Sequence, residues 1–156
     1  MIETYEEMKI RQQQQEYNEF TIGCVFFAYS KEQFESGMQS IGLNLFEKDK
    51  IFNFEKGAFI LKSKLEEQTK LFEKFIEERQ QAIDNDKDGT GFIATMFLCE
   101  LNNHECGYTG DIKPALDSLD LTIDEIRSNP KLLNGLKFAL IKIFGKALSE
   151  VGYIDK

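Results

Sequence analysis

The chain has 156 residues, 42% of them hydrophobic and 29% charged, with 14 phenylalanines and no tryptophan. That length and aromatic content suffice for one folded domain, 1–156, with its own core, and exclude both a disordered chain and a small disulfide-stapled one. The formal net charge of −8 opposes non-specific attraction to nucleic acid or to anionic membranes, so neither is an expected partner.

Thr4-x-x-Glu7 is a capping-box pattern and predicts a first helix running to about Asn18. The run Gln12–Gln15 is polar on every side, which makes residues 1–19 an exposed helix or an arm that orders on a partner. Phe20–Ala28, FTIGCVFFA, is β-branched and aromatic and predicts a buried strand. Ser30-x-x-Gln33 then caps a short helix through roughly Met38, closed by Gly42. In IFNFEKGAFILK, residues 51–62, two strands are expected to fold around Glu55-Lys56-Gly57, with glycine supplying the positive φ of a tight hairpin.

From Ser63 the pattern turns helical. Ser63-x-x-Glu66 reads as another capping box, and Leu65, Phe72, Phe75, Ile76 and Ile83 recur at helical spacings as core. Phe92–Asn102 predicts a helix with Ile93, Met96, Phe97 and Leu101 inward, followed by a loop, NHECGYTG, over 103–110. Asp111 caps a short helix with Pro114 in its first turn, Thr122-x-x-Glu125 caps another, and Asn129-Pro130 starts the last, expected to reach about Val151. That helix carries Leu133, Leu136, Leu140, Ile143, Phe144, Ala147 and Leu148 and is expected to be the most buried. The fold class is therefore α+β: a small three-stranded antiparallel sheet packed against a mostly helical C-terminal half.

Four features carry possible chemistry. Asp84-Asn85-Asp86-Lys87-Asp88-Gly89 matches the first six positions of a calcium-binding EF-hand loop, but Thr95 stands where the bidentate glutamate belongs. The pattern reads first as a polar helix–helix connection, with Asp84, Asp86 and Asp88 as a weak calcium candidate. His104, the only histidine, sits at a helix end, where it is expected to hydrogen-bond the last carbonyls. With Glu105, Tyr108 and Thr109 it also belongs to a donor-rich loop suited to a small polar ligand. Finally, residues 127–149 hold Arg127, Lys131, Lys137, Lys142 and Lys146 and no acid, so an anion would bind there; Lys142 and Lys146 are helical neighbours.

Cys24, Cys99 and Cys106 lack paired spacing, so neither a zinc ribbon nor a redox CxxC is indicated. No HExxH, GxSxG, Walker loop or GxGxxG occurs, no cofactor is implied, and catalytic residues are not assigned. With no signal-like N-terminus and no apolar run long enough for a bilayer, the expected location is the cytoplasm.

Phe26-Phe27-Ala28-Tyr29-Ser30, Gln33-Phe34-Glu35-x-Gly37, Gly57-x-Phe59-Ile60 and Glu100-Leu101-x-Asn103-His104-Glu105, with Tyr108-Thr109-Gly110-Asp111, resemble a family of small uncharacterised phage and gut-bacterial proteins. The resemblance covers roughly residues 25–126, and Cys106 stands where that family usually has a tyrosine. It implies no known activity, but it implies a phage setting, the host cytoplasm, and binding rather than catalysis. The expected function is a non-enzymatic protein that counters host immunity by sequestering a small phosphorylated, nucleotide-like signal. His104, Glu105, Tyr108, Thr109, Lys142 and Lys146 are its candidate ligand-binding residues. The alternative is an acidic inhibitor, net −12 over residues 1–126 (13 basic, 25 acidic), that occludes a host protein or mimics nucleic acid. A third reading is a hydrolase using His104 and Glu105 on a metal-bound water. A homo-oligomer is compatible with each.

Overall fold

The computed structural model describes residues 2–145. The fold is α+β: a three-stranded antiparallel sheet in the first half, with helices dominating the second. The chain divides into two compact units, Ile10–Glu77 and a second made of Met1–Lys9 with Glu78–Lys156.

In the Ile10–Glu77 unit, β1 (Val25–Phe27), β2 (Ile51–Glu55) and β3 (Ala58–Leu61) lie in the order β1-β3-β2. The expected strand 20–28 shrinks to three residues. A π-helical turn takes Tyr17–Thr21, and Gly23 at φ +77° reverses the chain before β1. The hairpin forms as expected around Lys56-Gly57, and Gly57 adopts φ +80°. Its backbone also lies against the Tyr29 ring, which a Cβ there would strike at 2.4 Å. α2 (Lys31–Ser40) starts on Ser30, whose hydroxyl accepts from the Gln33 N–H. It packs on β1 through a cluster of Phe26, Phe34, Phe59 and Met38, in which Phe26 and Phe59 stack at 5.1 Å.

α1 (Tyr5–Glu16) begins with the expected capping box: Thr4 and Glu7 each accept the other's backbone N–H. α3 (Lys62–Asn85) starts one residue before Ser63, so Ser63 lies inside the first turn and not at the cap. The stripe on α3 is only partly core. Leu71 and Ile83 are buried, but Ile76 is 59% exposed and Phe72 39%.

The remaining helices are α4 (Phe92–Asn103), α5 (Cys106–Thr109), α6 (Lys113–Ser118), α7 (Ile123–Ser128) and α8 (Pro130–Phe144). Ile93, Met96, Phe97 and Leu101 of α4 are wholly buried, as their spacing predicts, and pack with Leu136, Ala139 and Leu140 of α8. α7 carries the Thr122/Glu125 capping box. Asn129 caps α8 by accepting from the Lys131 and Leu132 N–H groups. α8 ends earlier than its apolar run predicts: Gly145 at φ +65° closes it after Phe144 by donating to the Ile141 carbonyl. Ala147 and Leu148 lie outside the described residues. Among the described residues no helix is long and apolar enough to cross a membrane.

Candidate functional site

The apolar face of α4 carries one acid, Glu100, which is 3% exposed. A buried carboxylate is costly unless its oxygens are bonded, and here both are. Oε1 accepts from Tyr5 Oη at 2.9 Å and Lys9 Nζ at 2.8 Å; Oε2 accepts from Ser118 Oγ at 2.9 Å. His104 Nε2 lies 3.6 Å from Oε2. His104 was expected to bond the helix's last carbonyls; its ring turns back one turn instead, and its backbone N–H caps onto the Glu100 carbonyl. Burial pushes the Glu100 carboxyl up, but the bonds from Lys9, Tyr5 and Ser118 outweigh it and hold it below the usual range. Burial, and then the Glu100 bond and charge, push the Tyr5 hydroxyl well above its ordinary value. The cluster is a saturated structural node, with no oxygen left for catalysis.

The loop after α4 does not gather its candidates. Glu105 takes the left-handed conformation at φ 57°, Tyr108 is 94% exposed, and Thr109 Oγ1 accepts from the Asp111 N–H. The loop does approach α8: a Cβ on Gly107 would meet Ile143 at 3.6 Å. Lys142 extends along its own helix over the Phe138 ring, 5.3 Å from the centroid. Lys146 lies outside the described residues. Burial raises the Cys106 thiol above its ordinary value, as it does Cys99, where the Glu100 charge adds to it. Neither is an activated nucleophile.

The 84–91 connection works as a helix cap. Asp86 Oδ2 accepts from the Ile93 N–H at the start of α4, and Oδ1 from the Gly89 N–H. Asp88 Oδ1 accepts twice from Thr90, and Asp84 accepts from Gln80. No group of three acidic, histidine or cysteine side chains among the described residues is placed to hold a metal ion.

This connection lies directly against α8. Lys131 Nζ donates to the Ile83 and Asp84 carbonyls at 3.1 and 3.0 Å, closing the end of α3, and Asn134 donates to the Asp88 carbonyl at 2.7 Å. Gly89 and Gly135 permit the approach: a Cβ on Gly135 would meet the Gly89 oxygen at 2.6 Å and Ile93 at 2.4 Å. Between the two segments opens a groove of about 460 Å³, lined by Lys87, Asp88, Lys131, Leu133, Asn134 and Lys137 with Pro130. Lys87 and Lys137 make no ion pair with the described residues. The sequence placed cations on this helix. Lys87 was missed, since only the fold brings it there; its signal was a lysine among aspartates whose oxygens are used locally.

Over residues 4–142 the chain matches, and so belongs to, a family of unknown function (DUF7659). The match contains the segment in which the sequence resemblance was seen. No curated protein and no solved structure matches the chain.

Proposed function

We propose that this member of the family is a non-enzymatic binding protein that sequesters a small phosphorylated ligand in the groove between the 84–91 connection and α8. The reading rests on one observation: in a chain of net charge −8, Lys87, Lys131 and Lys137 converge on one groove of about 460 Å³. That size suits a nucleotide-sized molecule. Lys131 is held by two carbonyls, so it contributes a fixed charge, whereas Lys87 and Lys137 supply movable donors for phosphate oxygens. Asn134 and the apolar Leu133 and Pro130 would orient the rest of the ligand. A phage-encoded factor that removes a host phosphorylated signal needs no more chemistry than this.

The test is calorimetric titration of the full chain with pyrophosphate and with ADP. Binding is expected, weakened about tenfold or more in Lys87→Glu/Lys137→Glu, as loss of two exposed charge contacts implies. Lys142→Glu lies roughly 16 Å along the helix from Lys131 and should bind normally. Absent binding of both probes, or equal binding by the double variant, sinks the reading.

A further inference from the structure

The other groove in the molecule faces an open strand edge. β1 is an edge strand of the β1-β3-β2 sheet, in register Val25↔Ile60, Phe26↔Phe59 and Phe27↔Ala58. The Ala28 N–H donates to the Gly57 carbonyl at 2.8 Å, and the Leu61 N–H to the Cys24 carbonyl at 3.1 Å. Residues 24, 26 and 28 therefore turn their peptide groups toward β3. By the alternation of an antiparallel ladder, Val25 and Phe27 turn theirs outward, where no strand lies beside them. α2 runs alongside. Between it and the strand lies a groove of about 480 Å³, lined by Phe27 and one stripe of the helix: Glu32, Gln33, Ser36, Gly37 and Ser40. Phe27 is 57% exposed at its rim.

We propose that this groove docks an extended segment of a partner protein, which adds to the sheet as a fourth strand beside β1. Outward N–H and C=O groups at alternate residues are matched by a β-strand backbone and by few other ligands. The far wall is a helix. A second copy approaching through its own β1 would bring its α2 into the same space, so the groove admits a single strand and not another sheet edge. Glu32 is the only charge in the lining, so the docked segment carries a lysine or arginine beside it and an apolar side chain over Phe27. This surface is independent of the lysine groove and of the reading based on it.

The probe is a library of short random peptides displayed against the full chain, with recovered peptides titrated into variants. Phe27→Ala removes the ring and keeps the outward N–H. Phe27→Pro removes that N–H as well, and because it points away from β3 the ladder survives. Recovered peptides should pair basic with alternating apolar residues. They should bind Phe27→Pro about tenfold more weakly than Phe27→Ala, the effect of one hydrogen bond. Ser36→Trp, on an exposed helix position, fills the groove and should abolish binding even where Phe27→Pro does not fold; Glu32→Lys should reverse the charge preference. The proposal is overturned if no peptide is enriched, or if Ser36→Trp binds like the parent. It is equally overturned if Phe27→Pro and Phe27→Ala bind alike, or if the parent is a dimer that Ser36→Trp dissociates.

Discussion

Tyr5 Oη donates to Glu100 Oε1 at 2.9 Å, a hydrogen bond between residues 95 positions apart that ties the first turn of α1 to the middle of α4. Lys9, one turn further along α1, reaches the same oxygen. Because Glu100 is buried, each donor removed leaves charge that water cannot reach.

Glu100→Ala should therefore lower stability by about 2–4 kcal/mol, the range for breaking a buried, hydrogen-bonded charge cluster. Tyr5→Phe should cost about 1.5–3 kcal/mol, the worth of one bond to a charged acceptor. Urea denaturation followed by circular dichroism measures both. A loss below about 1 kcal/mol for Glu100→Ala would mean the cluster is not a structural node.

The same cluster sets a pH window. The Glu100 carboxyl lies below its ordinary value of 4.5 in the folded chain. Folding thus favours its ionised form, and that stability is present above 4.5 and lost as pH falls through the folded value. The Tyr5 hydroxyl lies above its ordinary 10.0, so its contribution is complete below 10.0 and lost as pH rises beyond it. Urea midpoints across the acid range should fall for the parent and fall less steeply for Glu100→Gln, which has no carboxylate to protonate. Parallel acid limbs would refute the assignment.

Gly135→Ala should destabilise by about 1–3 kcal/mol, because its Cβ would meet Ile93 and the Gly89 carbonyl at contacts far inside van der Waals distance. Gly89→Ala should be worse, since φ is +91° and the Lys131 carbonyl lies 2.0 Å from the new Cβ. Thermal melts decide this; an unchanged Tm for Gly135→Ala would show that loop and helix are not held together at that point.

Asp86→Ala should cost about 0.5–2 kcal/mol as the loss of an α4 cap. Calcium should not raise Tm, because the Asp86 oxygens already hold two backbone N–H groups. A calcium-dependent increase that Asp86→Ala abolishes would restore the EF-hand reading, since a ligand that binds only the folded chain stabilises it.

The caps at Thr4/Glu7, Ser30, Thr122/Glu125 and Asn129 were legible because each bond spans two or three residues and needs only the right side chain at the right offset. The Lys56-Gly57 hairpin was legible for the same reason. The stripe on α3 misled: helical spacing shows that Ile76 and Ile83 can share a face, not that anything covers it, and only Ile83 is buried. Glu100 was passed over inside an ELxNHE motif, although a single acid between Phe92 and Leu101 was a visible signal.

Local chemistry was thus enough for the α+β class, the helix starts, the hairpin and the cationic character of α8. The tertiary fold alone decided which side chains meet. It put Tyr5, Lys9 and Ser118 on one buried carboxylate, Lys87 beside Lys137, and left the peptide groups of Val25 and Phe27 facing a groove. The reason is range: a cap is satisfied within one turn of chain, whereas a buried charge, a shared groove and an unpaired edge depend on segments whose separation along the sequence carries no periodic signal.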